Sequence, residues 1–194
     1  MNNKKYTKEN PLLATADTPF GAIPYDRITL DDFVPAVREA IRAEKAAVET
    51  ICNNKDIPTF ENTIALLDRA GIMLSRIIGA FNALANAHSD DAVLAVEEGI
   101  ELLSTAHHND MSLNQELFKR IKYVYEGDKE SLNSEQKRLL EQTYDSFVKN
   151  GANLQGEERE KYRRLTERVA VLQIRFQENC IKDTDSYTLH VTDS

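Results

Sequence analysis

The sequence is poor in residues that interrupt or cross-link a chain: it has only seven glycines, five prolines and two cysteines. So little glycine and proline, with 41% hydrophobic and 29% charged residues, excludes a collagen-like or largely disordered protein. Cys52 and Cys180 lie far apart and match no CxxC pattern. This spacing predicts two free thiols, buried or at the surface, in a reducing compartment.

Long apolar runs are also missing. No stretch approaches the roughly 18 apolar residues of a membrane-spanning helix, so we expect no membrane partner. The first residues, MNNKKYTKENPLL, include lysines but not the apolar core of a secretory signal. We therefore expect a cytoplasmic protein, with the periplasm as the alternative if a leader had been removed.

Positive charge is scarce relative to negative charge. There are 24 Lys and Arg against 32 Asp and Glu, a net charge of −8. Phosphate binding needs a basic surface, so this balance argues against nucleic acid as the main partner. A chain of 194 residues can nevertheless bury about 70% of the surface that it exposes when unfolded, enough for one domain.

Motifs of catalytic and metal sites are absent as well. A zinc peptidase helix carries HExxH, so that both histidines and the general base share one face, and no such motif occurs here. His107 and His108 are adjacent and point about 100° apart on a helix, so they cannot both ligate one ion. Asp110 lies three residues after His107, a weak pair at best, and we interpret this stretch as a solvated helix end facing the C-terminal dipole.

Other chemistries are equally unsupported. Glu98 and Glu101 lack the histidine that a di-iron Glu-x-x-His pair needs, and Glu97 and Glu101 predict an acidic outer face. There is no GxSxG and no phosphate-binding glycine loop. We therefore predict no catalytic, cofactor-binding or metal-binding residue in this chain.

Helical periodicity dominates what is present. Residues 1–28 contain three prolines and Gly21, which predicts an extended segment that wraps around the rest. From residue 29 to the end we predict one all-α domain of about six helices in an elongated antiparallel lobe. SYTLHVTDS at the end alternates apolar and polar residues, which predicts one terminal β-strand.

Several helices carry an apolar stripe. The longest begins Phe60, Ile64, Leu67, with Gly71 in its interior, where a close helix crossing would explain a glycine. In KRIKYVYEG we expect the apolar residues to face the core and Lys119, Arg120 and Lys122 to face water. The last helix has a stripe of its own, made of Leu165, Val169, Leu172, Phe176 and Cys180.

Four stretches resemble one family when they are taken together in order. They are NPLL…TPFGAIPYDRITLDDFVPAVREAI, PTFENTIALLDRAGIMLSRIIGAFNALANAHSDD, AHHNDMSLNQELFKRIKYVYE and EQKRLLEQTYDSFVKNGANL. In order and spacing they are similar to the N-terminal region of the M3 (thimet-oligopeptidase-like) zinc metallopeptidases. The bacterial peptidyl-dipeptidase branch is nearest in style, and the oligopeptidase A branch is second.

The resemblance implies a longer parent enzyme that hydrolyses short, unstructured peptides in a deep channel. It implies that zinc is held on an HExxH helix with a third glutamate ligand, in a catalytic domain that this sequence does not contain. No zinc or catalytic role can therefore be assigned to any residue here. The chain would form one wall of the channel, would bind no zinc and would be inactive alone, with the catalytic domain as its partner.

Two other hypotheses stay open on sequence grounds. The chain could be a free-standing helical module that binds a protein or peptide in a groove. A weaker hypothesis is a small metal-binding bundle that uses His107 and Asp110.

Overall fold

The computed structural model describes residues 10–14, 18–88, 90–186 and 188, apart from some side chains of the last helix. The chain divides into two compact units, Met1–Ala152 and Asn153–Ser194. All regular elements of the described residues are helical, which confirms the all-α prediction. The α-helices are α1 (Leu30–Asn53), α2 (Ala65–Ala70), α3 (Ile72–Ala87), α4 (Asp91–Ser112), α5 (Gln115–Glu126), α6 (Ser134–Lys149) and α7 (Gly156–Ser186).

Side-chain caps fix where the helices begin. The carboxylate of Asp32 accepts a hydrogen bond of 2.8 Å from the backbone N–H of Thr29 ahead of α1. The side chain of Asn114 accepts one of 3.0 Å from the first turn of α5. Such bonds satisfy backbone donors that a helix start leaves unpaired. The cap of α4 is Asp90, whose carboxylate accepts from Val93 N–H at 2.9 Å.

The helix that the sequence predicted to begin at Phe60 is divided into three pieces in the structure. It starts with a π-helical turn, Phe60–Ile64, capped by Thr59, and continues as α2 and then α3. The division between α2 and α3 falls at Gly71, whose φ and ψ are −81° and −10°. A Cβ atom added at Gly71 would lie 3.5 Å from a carboxylate oxygen of Glu44 in α1. That distance is ordinary van der Waals contact with the end of a side chain, so the predicted close helix crossing stays a prediction.

The buried side chains of the first unit form two separate apolar cores. The Phe33 core joins the first half of α1 to α3 and the first half of α4; it consists of Leu12, Phe33, Ala36, Val37, Ala40, Ile77, Ala80, Phe81, Val93 and Ile100. The Phe118 core joins the second half of α1 to the π turn, α5 and α6; it consists of Val48, Ile51, Phe60, Ile64, Leu117, Phe118, Ile121, Val124, Leu140, Phe147 and Ala152.

Each core has an aromatic centre. Phe33 and Phe81 meet edge to face, with ring centroids 5.2 Å apart. Phe118 stacks against both Tyr144 and Phe147, with ring centroids 5.9 and 6.2 Å apart. Aromatic pairs at these separations add to the stabilisation that burial of their area gives.

The described part of the N-terminal segment is tied to α1 and α3. Leu12 is buried in the Phe33 core, and its carbonyl accepts a 2.7 Å hydrogen bond from the Arg76 guanidinium. The Tyr25 hydroxyl donates to the carbonyl of Ala80 at 3.1 Å. These contacts hold residues 10–14 and 18–28 against helices that follow later in the chain. The predicted boundary at residue 28 stays a prediction.

The second unit consists of α7 as far as it is described. The predicted strand around Tyr187, Leu189 and Val191 lies outside the described residues. Among the residues that the structure does describe, no helix is long and apolar enough to cross a membrane.

Candidate functional site

The histidine pair of the sequence is separated by the fold. His107 is buried, with 5% of its surface exposed, and its Nε2 lies 3.0 Å from a carboxylate oxygen of Glu44. His108 faces outward, 3.4 Å from the hydroxyl of Ser112. Asp110 is exposed and pairs with Lys45 at 2.6 Å. The structure therefore does not bring His107, His108 and Asp110 together.

The interpretation of His107 as a solvated helix end was wrong. α4 continues to Ser112, beyond the predicted end, so His107 lies inside the helix and faces α1. A histidine has enough apolar surface to be buried where a partner meets its ring nitrogen. In the described ranges, no three His, Cys, Asp or Glu side chains are arranged to hold a metal ion.

Both cysteines are free thiols, as predicted. Cys52, at the end of α1, is half-buried, and burial raises the pKa of its thiol, with hydrogen bonding to Asn114 acting in the opposite direction. Cys180 is exposed on α7. A raised pKa leaves less of the nucleophilic thiolate, so Cys52 is not activated for catalysis.

A concave feature of the described part of the first unit is a groove of about 710 Å³. One wall is formed by residues 58–61, at the start of the π turn, and the other by the end of α5 and the loop after it. Phe60, Val124 and Leu132 supply apolar surface, and Tyr123, with about half of its surface exposed, stands at the edge. A groove of this kind can accept an extended peptide segment.

The groove is acidic at its rim. Glu61, Glu126 and Asp128 line it. Two of these carboxylates are ion-paired: Arg69 lies 3.9 Å from Glu61, and Lys122 lies 3.7 Å from Glu126. The two cations offset part of the negative charge that the three acids bring to the groove.

A buried arginine holds one wall of the groove in place. Arg120, 8% exposed, donates to the carbonyl of Asn54 at 2.9 Å and to the side-chain oxygen of Asn62 at 3.1 Å. That same Asn62 oxygen accepts from the backbone N–H of Thr59 at 2.8 Å. Arg120 thus fixes the loop that leads into residues 58–61.

The expectation that Arg120 faces water was wrong, whereas Lys119 and Lys122 are exposed as predicted. A guanidinium can be buried where several oxygens accept its N–H groups, and the loop before the π turn supplies them. Sequence reasoning could not find this residue, because its acceptors lie 66 and 58 residues away.

The apolar stripe of α7 is open to solvent. Leu165, Val169 and Leu172 each expose about half of their surface, Phe176 exposes 70%, and Cys180 is exposed too. They are spaced by four, three, four and four residues, so they share one face of the helix. Large side chains on one continuous face are typical of a surface that packs against another protein segment.

Known proteins similar to the chain are peptidases. No protein-family model matches it. The dipeptidyl carboxypeptidase of Salmonella typhimurium (strain LT2) is 31% identical over 186 residues, which is 95% of this chain and 27% of that enzyme. The dipeptidyl carboxypeptidase of Escherichia coli (strain K12) is also 31% identical, over 96% of the chain and 28% of the enzyme. Oligopeptidase A of the same strain is 27% identical over 95% of the chain and 27% of the enzyme.

The chain is a homologue of the M3-family peptidases. It spans little more than a quarter of the length of the M3 relatives that it matches, consistent with an N-terminal region. A match over 95% of the chain includes residues of both the first unit and α7. The M3 resemblance read from the four sequence stretches is confirmed.

Proposed function

We propose that the chain is the N-terminal helical domain of a zinc-dependent peptidyl-dipeptidase or oligopeptidase that hydrolyses short peptides. The observation that carries the proposal is the match of nearly the whole chain to about 27% of two dipeptidyl carboxypeptidases. In this proposal the domain forms one wall of the substrate channel, and the channel admits only unstructured oligopeptides. The enzyme acts in the cytoplasm, without nucleic acid or membrane partners.

The zinc of such an enzyme does not fit the described residues of this chain. His107 meets one carboxylate, Glu44, and no third ligand. We therefore derive no catalytic step from these residues. Zinc and its HExxH helix belong to the catalytic domain in this proposal, and the helical domain contributes shape: it excludes folded proteins and positions the peptide.

The partner that covers the α7 stripe is, in this proposal, the catalytic domain of the same longer chain. Support comes from the exposure of Leu165, Leu172 and Phe176, since burying the exposed part of each on a partner would contribute about 1–2 kcal/mol. The chain without its catalytic domain should then associate with itself at high concentration, and a Leu172→Glu, Phe176→Glu variant should not. Analytical ultracentrifugation measures the difference. Equal self-association of both proteins would contradict the assignment.

Two experiments test the proposed function. The reading frame downstream of residue 194 should encode HExxH several hundred residues on, and a natural stop codon near that position would refute the proposal. The 194-residue chain alone should not cleave a fluorogenic oligopeptide. Cleavage by the pure chain, abolished by a zinc chelator, would equally contradict it.

A second candidate is the free-standing peptide-binding module, which the 710 Å³ groove favours. It predicts a stop codon near residue 194 and micromolar binding of a basic peptide by the chain alone. Tyr123→Ser, at the groove edge, should weaken that binding, and Leu102→Ser, an exposed leucine of α4 away from the groove, should not. Fluorescence anisotropy with a labelled peptide measures both.

A further inference from the structure

The long helix α1 contributes buried apolar residues to both cores and has a polar residue between them. Ala40 belongs to the Phe33 core and Val48 to the Phe118 core. Glu44 lies midway, one turn from each, on the same buried face of the helix. A carboxylate therefore stands where a continuous core would have an apolar side chain.

Helix α4 also has polar residues between its contacts with the two cores, opposite Glu44. Ile100 is in the Phe33 core, and Met111 packs against the Phe118 core. Between them lie His107, in contact with Glu44, and Ser104, whose hydroxyl oxygen is buried. The third element that crosses this level is the α2–α3 segment. There Leu67 packs against the Phe118 core and Leu74 against the Phe33 core, and Gly71 between them presents no side chain.

These four residues, Glu44, Gly71, Ser104 and His107, form what we call the polar layer. Glu44 is its centre: one carboxylate oxygen is 3.0 Å from His107 Nε2, and the other would lie 3.5 Å from a Cβ added at Gly71. No apolar residue of these three described helix segments belongs to, or packs against, both cores. The layer interrupts the hydrophobic contact that makes a domain fold as one unit.

The polar layer is also incompletely hydrogen-bonded. The buried atoms Glu44 Oε2, Ser104 Oγ and both ring nitrogens of His107 have no hydrogen-bond partner among the described residues. The 3.0 Å approach of Glu44 and His107 brings opposite charges together when the imidazole is protonated, but it is not aligned as a hydrogen bond. Buried polar atoms without partners destabilise their surroundings, so the layer adds less stability than an apolar contact at the same place would.

We propose that the polar layer is an internal joint, at which the Phe33 core and the Phe118 core open and move as separate cooperative units. Helices α1 and α4 bend at the joint, and α2 and α3 are already divided there. The proposal concerns this chain alone and does not depend on the peptidase assignment.

Hydrogen exchange followed by mass spectrometry tests the joint on the full chain. α3 reports on the Phe33 core, whereas α5 and α6 report on the Phe118 core, and none of these three helices crosses the layer. Exchange in increasing, sub-denaturing urea should show the two sets opening separately, with protection that differs by at least about tenfold. Equal protection, with both sets exchanging in one event, overturns the proposal, and this comparison needs no variant.

A variant with an apolar layer sharpens the test. In Glu44→Met, His107→Leu the two cores become continuous, and the difference in protection should shrink to less than about threefold. The matched control is Lys45→Ala, Asp110→Ala, which removes an exposed ion pair between the same two helices, each partner within one turn of the layer. The control should keep the tenfold difference. A difference that persists in the apolar variant, or disappears in the control, contradicts the joint.

Discussion

Unlike the lysines near it in sequence, Arg120 is buried, and its replacement by methionine should strongly lower the free energy of unfolding of the first unit. The guanidinium donates to the Asn54 carbonyl at 2.9 Å and to Asn62 at 3.1 Å, and a third acceptor, the Asp56 carbonyl, lies at 3.4 Å. A hydrogen bond from a charged donor contributes about 1.5–3 kcal/mol, so the two short bonds together contribute about 3–6 kcal/mol.

Part of that loss is offset. Arg120→Met also removes the cost of burying a charge whose Nε has no partner. We therefore expect a net loss of about 2–4 kcal/mol in the free energy of unfolding. The free energy of unfolding of Arg120→Lys should lie between those of the parent chain and Arg120→Met, because an ammonium cannot span two acceptors as the planar guanidinium does.

Urea denaturation followed by circular dichroism at 222 nm measures these changes. The matched control is Lys119→Met, one residue earlier on α5, where the ammonium is exposed and pairs with Glu116 at 2.7 Å. It should change the free energy by no more than about 0.5 kcal/mol. If Arg120→Met falls within that same range, Arg120 does not hold the wall of the groove.

Three further perturbations have defined outcomes. His107→Leu leaves the buried Glu44 carboxylate without its partner and should lower the free energy of unfolding, measured by urea denaturation, by about 3–5 kcal/mol. Adding Glu44→Met should recover most of that loss, and a double variant as unstable as the single one contradicts this reasoning. Ellman's reagent at pH 7.5 should modify Cys180 well before Cys52, because burial raises the pKa of Cys52. The variants Cys52→Ser and Cys180→Ser give the modification rate of each remaining thiol separately, and equal rates contradict the assigned burial. The Val93 N–H at the start of α4 holds the pKa of Asp90 below its usual range, so the stabilisation from the ionised cap is present at neutral pH and is lost as the pH falls through that lowered pKa. Asp90→Ala should therefore lose less stability on acidification than the parent chain, and identical acid profiles would refute the cap.

The sequence predicted local structure well because local structure depends on neighbours in the chain. The cap at Asn114 and the helix end at Gly151, with its φ of +82°, follow from residue types at fixed offsets. The apolar stripe of the second helix also holds, with Phe60 and Ile64 buried at its start.

The polar residues that the sequence misplaced depend on distant partners. His107 is buried because Glu44, on another helix, meets it, and Arg120 is buried because a loop before the π turn offers its carbonyls. Periodicity places both residues on a helix but carries no information about what packs opposite them. The sequence placed Gly71 inside one continuous helix, whereas in the structure α2 ends and α3 begins there.

The central claim is that this chain supplies a helical domain to a peptidase whose chemistry resides in another domain. The most direct measurement is product analysis by mass spectrometry, with one oligopeptide treated either with the 194-residue chain or with the complete product of its reading frame. The account predicts no hydrolysis by the 194-residue chain, and release of C-terminal dipeptides or short fragments by the complete protein that stops when zinc is chelated. Chelator-sensitive cleavage by the 194-residue chain, or none by the complete protein, would contradict it.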